Sequence, residues 1–244
     1  TLMFVLLLSG LPVSFSLGFL GLSMLIFGGF SPLMAPQAIL STLDGFILLA
    51  VPLFLLMSNV LLKGGCGKDL FNAVQAWVGH WPGGLAVATI ISCGIFAAIS
   101  GVSVATAATI GVVAIPEMIK RGYNKNFVYG LLAAGGTLGI LIPPSLPMIV
   151  YGFITEESVI ALFLAGIGPG LFLISLFIIY SIVFSQFFGG FKKLEPSSWE
   201  VKKNTSKKVI PTIILAVLIL GGIYTGVFTP TEAAAIGFSL SLII

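Results

Sequence analysis

Between Pro82 and Pro116 the chain reads PGGLAVATIISCGIFAAISGVSVATAATIGVVAIP, without a charged residue anywhere in the stretch. As one straight helix it would measure about 50 Å, against a bilayer hydrocarbon core about 30 Å thick. The segment is too apolar for water and too long for a single crossing. Folded at its middle it makes two half-length helices of about 16 residues each, at about 1.5 Å per residue. SGVSVAT supplies the fold point: Gly101 lets the chain turn, and Ser100 and Ser103 can cap the helix ends exposed there. The pattern predicts a re-entrant hairpin over 82–116.

The rest of the chain is built for the same solvent. Of its 244 residues 58% are hydrophobic and 8% charged, whereas a soluble domain carries about 25% charged residues. With no water to satisfy the backbone in hydrocarbon, this composition predicts an all-α polytopic membrane protein. The opening TLMFVLLLSGLPVSF has neither a basic n-region nor a small-residue cleavage site, and reads as a membrane span. The chain starts inside one apolar run and stops inside another, GFSLSLII, as a piece cut at both ends would. Cys66 lies in a short polar loop and Cys93 in an apolar segment, so neither a disulfide nor a CxxC metal site is expected.

The eleven Lys and Arg fall into three clusters: Lys63 with Lys68; Lys120, Arg121 and Lys125; and Lys192 to Lys208. Under the positive-inside rule these mark cytoplasmic loops, and nucleic-acid binding is not expected. A hairpin over 82–116 returns the chain to the side it left, and two later crossings return it again, so all three clusters share one face. A single crossing there would put Lys63 and Lys68 opposite the rest. Asp44, Glu156, Glu157 and Glu232 fall to the other face. The clusters favour the hairpin, and leave two short full spans open as the alternative.

Residues 1–28 form one long helix or two consecutive ones broken at Pro12; 32–44 form an interfacial stretch; 45–62 span. Residues 67–81, GKDLFNAVQAWVGHW, have the pattern of an amphipathic helix at the headgroups, with Trp77, His80 and Trp81 as aromatic anchors. Residues 126–154 hold a second interruption. NFVYGLLAAGGTLGI is a helix ended by glycine, LIPPS is extended, and LPMIVYGFI restarts with Ser145 as N-cap. A proline kink does not account for Pro143 and Pro144 together with Gly135, Gly136 and Gly139, so this is read as a broken helix. Residues 159–187 cross again, 189–208 make a basic linker, and an apolar helix covers 209–225. Thr229, Pro230 and Glu232 then give a helix start with a capping box.

Interrupted helices are tolerated at membrane depth where they line a cavity or are buried in protein. A hairpin tip meeting a broken helix offers carbonyls, hydroxyls and helix N-termini at mid-membrane. Neither segment holds an Asp, Glu, Lys, Arg or His, which argues against a proton relay. Neutral oxygens from Ser100, Ser103, Thr106, Thr137 and Ser145, with freed carbonyls, suit a hard cation such as Na⁺. Thr106 and Thr109 suit helix packing equally well. An intramembrane enzyme would need a nucleophile with a base or paired aspartates, and His80, the single histidine, lies at the interface. No enzymatic activity is expected.

SGVSVATAATIG, GTLGILIPPSLPMIVYG and GVFTPTEAAAIG, in that order, resemble the large, DctM-like membrane subunit of tripartite ATP-independent periplasmic (TRAP) transporters. The resemblance covers essentially the whole chain. It implies an elevator-type secondary transporter with inverted repeats in the bacterial inner membrane, with basic loops cytoplasmic. Its cargo would be organic acids, such as C4-dicarboxylates or sialic-acid-like carboxylates. On the same resemblance a periplasmic binding protein would deliver the cargo, a small membrane subunit would complete the permease, and Na⁺ would be the coupling ion, with no other cofactor. On this pattern 1–188 is the first repeat, with scaffold helices over 1–62, 189–208 the linker between repeats, and 209–244 the start of the second. By position, Ser100, Gly101, Ser103, Thr106, Gly135, Thr137, Gly139 and Pro143 stand in the cation-binding half, and Ser103, Pro144 and Ser145 face substrate. Val102 stands where the family often has serine, so its side chain takes no part in coordination. A related Na⁺-coupled carboxylate transporter of elevator fold that needs no binding protein is the alternative.

Overall fold

The computed structural model describes residues 2–188 and 194–244, and every regular element among them is helical. Lys192 and Lys193 of the expected linker lie outside the described residues. The chain divides into two compact units, 1–46 and 47–244. In the first, α1 (Leu2–Leu8) and α2 (Val13–Phe27) are separated at Gly10, which takes φ +81°, and Pro12, so the opening apolar stretch is two helices. The segment read as interfacial is helical as well, α3 (Met34–Leu43).

The second unit begins with a 3₁₀ turn that leads into α4 (Ala50–Lys63). A left-handed Gly65, φ +79°, turns the chain into α5 (Cys66–Val78). The spacing of Leu70, Phe71, Ala73 and Ala76 puts them on one buried face, packed against α6, α7 and α11. α6 (Gly84–Ser100) and α7 (Ser103–Lys120) are joined by Gly101 and Val102 alone. The two arms run back along each other: Thr89 Oγ1, early in α6, lies 3.5 Å from Met118 Sδ, late in α7. Just beyond α7, the Tyr123 hydroxyl bonds the backbone of Leu85, and burial pushes that phenol up to about 12. The hairpin is thus closed at both ends.

α8 (Lys125–Leu141) packs along both arms and is followed by the non-helical residues 142–145 and α9 (Leu146–Thr155), bent 40° from α8. The Pro143–Pro144 peptide is cis. α10 (Val159–Phe188), α11 (Trp199–Tyr224) and α12 (Pro230–Ser241) complete the unit. α12 lies against α4, with Gly237 opposite Met57 and Ile219. Its expected capping box is formed: Thr229 N donates to Glu232 Oε2 at 2.8 Å and Glu232 N donates to Thr229 Oγ1 at 3.3 Å. Among the described residues four helical stretches are long and apolar enough to cross a membrane, Phe46–Lys63, Ser103–Lys120, Val159–Phe187 and Trp199–Tyr224. The bent pair α8 and α9 makes a fifth candidate.

Three expected boundaries move. Pro116 does not end the second arm, because α7 runs on to Lys120 with Met118 buried and Glu117 paired to Arg121 at 2.7 Å; one lost hydrogen bond is offset by that packing. α8 is not ended by glycine. It continues through Gly139 to Leu141 and stops at Ile142, which is held extended, ψ 126°, by the proline after it. The helix expected from 209 starts ten residues earlier, at Trp199, with Ser198 Oγ accepting from Val201 N at 3.4 Å. That added length packs on α5. Trp77 meets Trp199 edge-on at 5.9 Å, donates from Nε1 to Ser206 Oγ at 3.1 Å, and sits 5.2 Å from Lys202 Nζ. A ring read as a lipid anchor therefore has partners within the protein.

Candidate functional site: the junction of hairpin tip and broken helix

The tip is a two-residue reversal made possible by Gly101, whose φ of +64° is left-handed. A Cβ at Gly101 would overlap the carbonyl oxygen of Pro144 in the break. The Gly101 carbonyl accepts from Leu146 N, the first N–H of α9, at 3.2 Å. Tip and break are therefore joined main chain to main chain. α8 comes in closely because Gly139 has no side chain: a Cβ there would stand 2.7 Å from Val102 O and 2.9 Å from Ser103 N. One turn back, Gly136 lies against Ala107, and Gly135 lies against Cys93 in α6. The glycines that looked like helix breakers in the sequence are contact surface on an unbroken helix.

The hydroxyls are ordered around this contact. Thr106 Oγ1 donates to Val102 O at 2.9 Å and lies 2.9 Å from Ser100 Oγ, so Ser100 supplies the proton of that pair. Ser58 Oγ, in α4, is 2.9 Å from both Ser100 O and Phe54 O, which ties the tip to a neighbouring helix. Ser58, Ser100, Thr106 and Ser145 are all buried. Ser58 is a lone serine in an apolar span, and no local pattern singles it out.

Two capping roles are corrected. Ser100 ends α6 and Ser103 is the first residue of α7, while the N-cap position belongs to Val102, which has no capping side chain. Ser145 does occupy the N-cap of α9, but its hydroxyl donates back to Ile140 O at 2.6 Å, satisfying an end carbonyl of α8. The half-buried Ser103 hydroxyl makes no hydrogen bond among the described residues. Thr137 is exposed and donates to Ala134 O in its own helix at 2.6 Å. The structure thus brings together Ser100, Gly101, Ser103, Thr106, Gly139, Pro144 and Ser145. Pro143 is buried beside them in the break, Gly135 faces α6, and Thr137 looks away.

Four helix ends converge here: the C-termini of α6 and α8 and the N-termini of α7 and α9. With neutral side chains at the junction, the field is set by these ends, negative at the carbonyl ends and positive at the amide ends. Among the described residues no three His, Cys, Asp or Glu gather as a metal cluster. The oxygens present, hydroxyls and main-chain carbonyls, are the donors a hard monovalent cation takes.

The family model described as "Tripartite ATP-independent periplasmic transporter, DctM component" matches residues 1–244. The chain is 40% identical over 237 residues to the C4-dicarboxylate TRAP transporter large permease protein DctM of Vibrio cholerae, covering 96% of this chain and 52% of that protein. It is 39% identical over 238 residues to the ectoine/5-hydroxyectoine large permease protein UehC of Ruegeria pomeroyi, covering 96% and 55%. To the sialic acid large permease protein SiaM of Vibrio cholerae it is 37% identical over 235 residues, covering 95% and 54%. The chain spans about half the length of the curated relatives it matches. With its helices of membrane-crossing length and apolarity, this multi-pass membrane chain belongs to the DctM family, the large permease subunits of TRAP transporters.

Proposed function

We propose that the chain forms the first cation-binding half of a Na⁺-coupled secondary importer for small organic acids. A periplasmic binding protein delivers the acid, and a small membrane subunit completes the permease in the inner membrane. The observation that carries this reading is the main-chain bond between Gly101 O and Leu146 N, which holds a hairpin tip against a broken helix. The carbonyl ends of α6 and α8, with the Ser100, Ser103 and Thr106 hydroxyls, favour the cation. The amide end of α7, beside Ser103, and the positive end of the α9 dipole, beside Pro144 and Ser145, favour a carboxylate, although the first N–H of α9 is itself held by Gly101 O. A cation held between the tip and the break fixes the two amide ends in place, so that each ligand binds better in the presence of the other. The elevator movement and the inverted second repeat belong to the same proposal.

The named relatives serve C4-dicarboxylate, ectoine and sialic acid. A carboxylate is common to all three, which is the group the amide ends would recognise. The test is reconstitution of the full-length subunit with its small partner in proteoliposomes. Uptake of a C4-dicarboxylate or sialic acid should stay near background until the binding protein is added, and should then require an inward Na⁺ gradient. Full uptake with Na⁺ alone would support the transporter class that works without a binding protein.

A further inference from the structure

Away from the tip, a groove of about 630 Å³ opens between α5 and the C-terminal half of α7. Phe71 and Val113 give it an apolar lining, and Asn72 and Gln75 add amide groups. Lys68 and Lys120 reach it from different helices, and neither has a carboxylate partner among the described residues. Glu117, the acid that lines it, is already paired with Arg121 at 2.7 Å. Pro116 adds one more group. Lacking an N–H, it leaves the Val112 carbonyl one turn earlier without its helical donor, and both residues line the groove.

These groups together describe a ligand: a negative charge for two unpaired ammonium groups, hydroxyl donors for a free carbonyl and two amide oxygens, and an apolar body. We propose that the groove binds the headgroup of an anionic glycerophospholipid of the phosphatidylglycerol type. Its phosphate lies between Lys68 and Lys120, its glycerol hydroxyls donate toward the Val112 carbonyl and the Asn72 and Gln75 amides, and its acyl chains leave past the exposed Val112. Phosphatidylcholine fits poorly, because its headgroup has no net charge and no donor. The groove runs along the half of α7 away from the tip, from Val112 to Lys120, and draws one lysine from each of two basic clusters. On the cytoplasmic face that the positive-inside rule gives these clusters, anionic headgroups are the charges at hand. The bound lipid would hold α5 to the base of the second arm. This proposal requires only that the chain be embedded in a bilayer, and its test does not use transport.

The full-length subunit with its small partner, delipidated in mild detergent, is titrated with phosphatidylglycerol or phosphatidylcholine of matched acyl chains and followed by native mass spectrometry. Phosphatidylglycerol should bind preferentially. Lys68→Gln with Lys120→Gln should weaken it by on the order of tenfold or more, and Lys125→Gln, outside the groove, should leave it unchanged. On the unaltered protein, a phosphatidylglycerol carrying a photoreactive headgroup should crosslink to peptides covering 68–75 and 112–120. Equal binding of the two lipids, an unchanged affinity in the double variant, or crosslinks confined to other segments would overturn the proposal. Displacement of the lipid by millimolar C4-dicarboxylate or inorganic phosphate would overturn it as well, by showing a site for a free anion.

Discussion

Thr137 and Gly139 stand two positions apart on α8 and meet different surroundings. Gly139 lies against the Val102 carbonyl, while the Thr137 hydroxyl is exposed and bonded to its own helix. Composition brought both to notice, but only the packing of α8 on α7 decides which one faces the tip. The glycines give the sharper test. Gly139→Ala forces a methyl group into the Val102 main chain, and Gly101→Ala adds left-handed strain to a collision with the Pro144 carbonyl. Each should cost about 1–3 kcal/mol and lower the thermal unfolding midpoint of the full-length subunit in detergent. Gly130→Ala, with open space around it, should leave the midpoint unchanged or raise it. Cys66 offers a second check. Burial pushes its thiol up, with Asp69 adding to the rise and the Thr212 hydroxyl opposing it, so little thiolate exists near neutrality. Its maleimide labelling rate should keep climbing with pH beyond the point where a free thiol levels off; a plateau at or below the ordinary thiol range would contradict this.

At the scale of elements, the interruptions were legible because they are written in residues that constrain backbone directly. Gly101 is needed for a left-handed turn, and two consecutive prolines exclude helix at 142–145. Boundaries were less legible. α11 begins inside a stretch rich in lysine, where hydropathy is uninformative; the signal that marks it is Ser198 with Glu200 in the first turn. Its contact with α5 includes the ring pair Trp77 and Trp199, far apart in sequence. A double-mutant cycle on Trp77→Ala and Trp199→Ala should give a coupling of about 0.5–1.5 kcal/mol, and strict additivity would mean that the rings do not hold the two helices together. The hairpin has its own test. Lys68 and Lys120 border one groove, so Lys68→Cys and Lys120→Cys, with Cys66 and Cys93 replaced, should both label from the cytoplasmic side. Labelling from opposite sides would rule the hairpin out.

For the whole molecule, the proposed cation site is the place where four helix ends meet at neutral oxygens. Transport by the complete complex should therefore follow external Na⁺ through residues at that meeting point and ignore hydroxyls elsewhere on the same helices. Thr109 supplies the contrast: it is buried in α7 with an unpaired hydroxyl and packs its methyl against Gly67. The direct measurement is uptake against Na⁺ concentration at fixed membrane potential, in proteoliposomes holding the full-length subunit, its small partner and the binding protein. Ser103→Ala removes one oxygen, and should raise the Na⁺ concentration for half-maximal uptake several-fold, as expected from about 1 kcal/mol per contact. Thr109→Ala should leave it unchanged, and Thr137→Ala, with its hydroxyl turned away, should shift it less than Ser103→Ala does. Unaltered Na⁺ dependence in both Ser103→Ala and Thr106→Ala would contradict the assignment of the cation to the junction of tip and break.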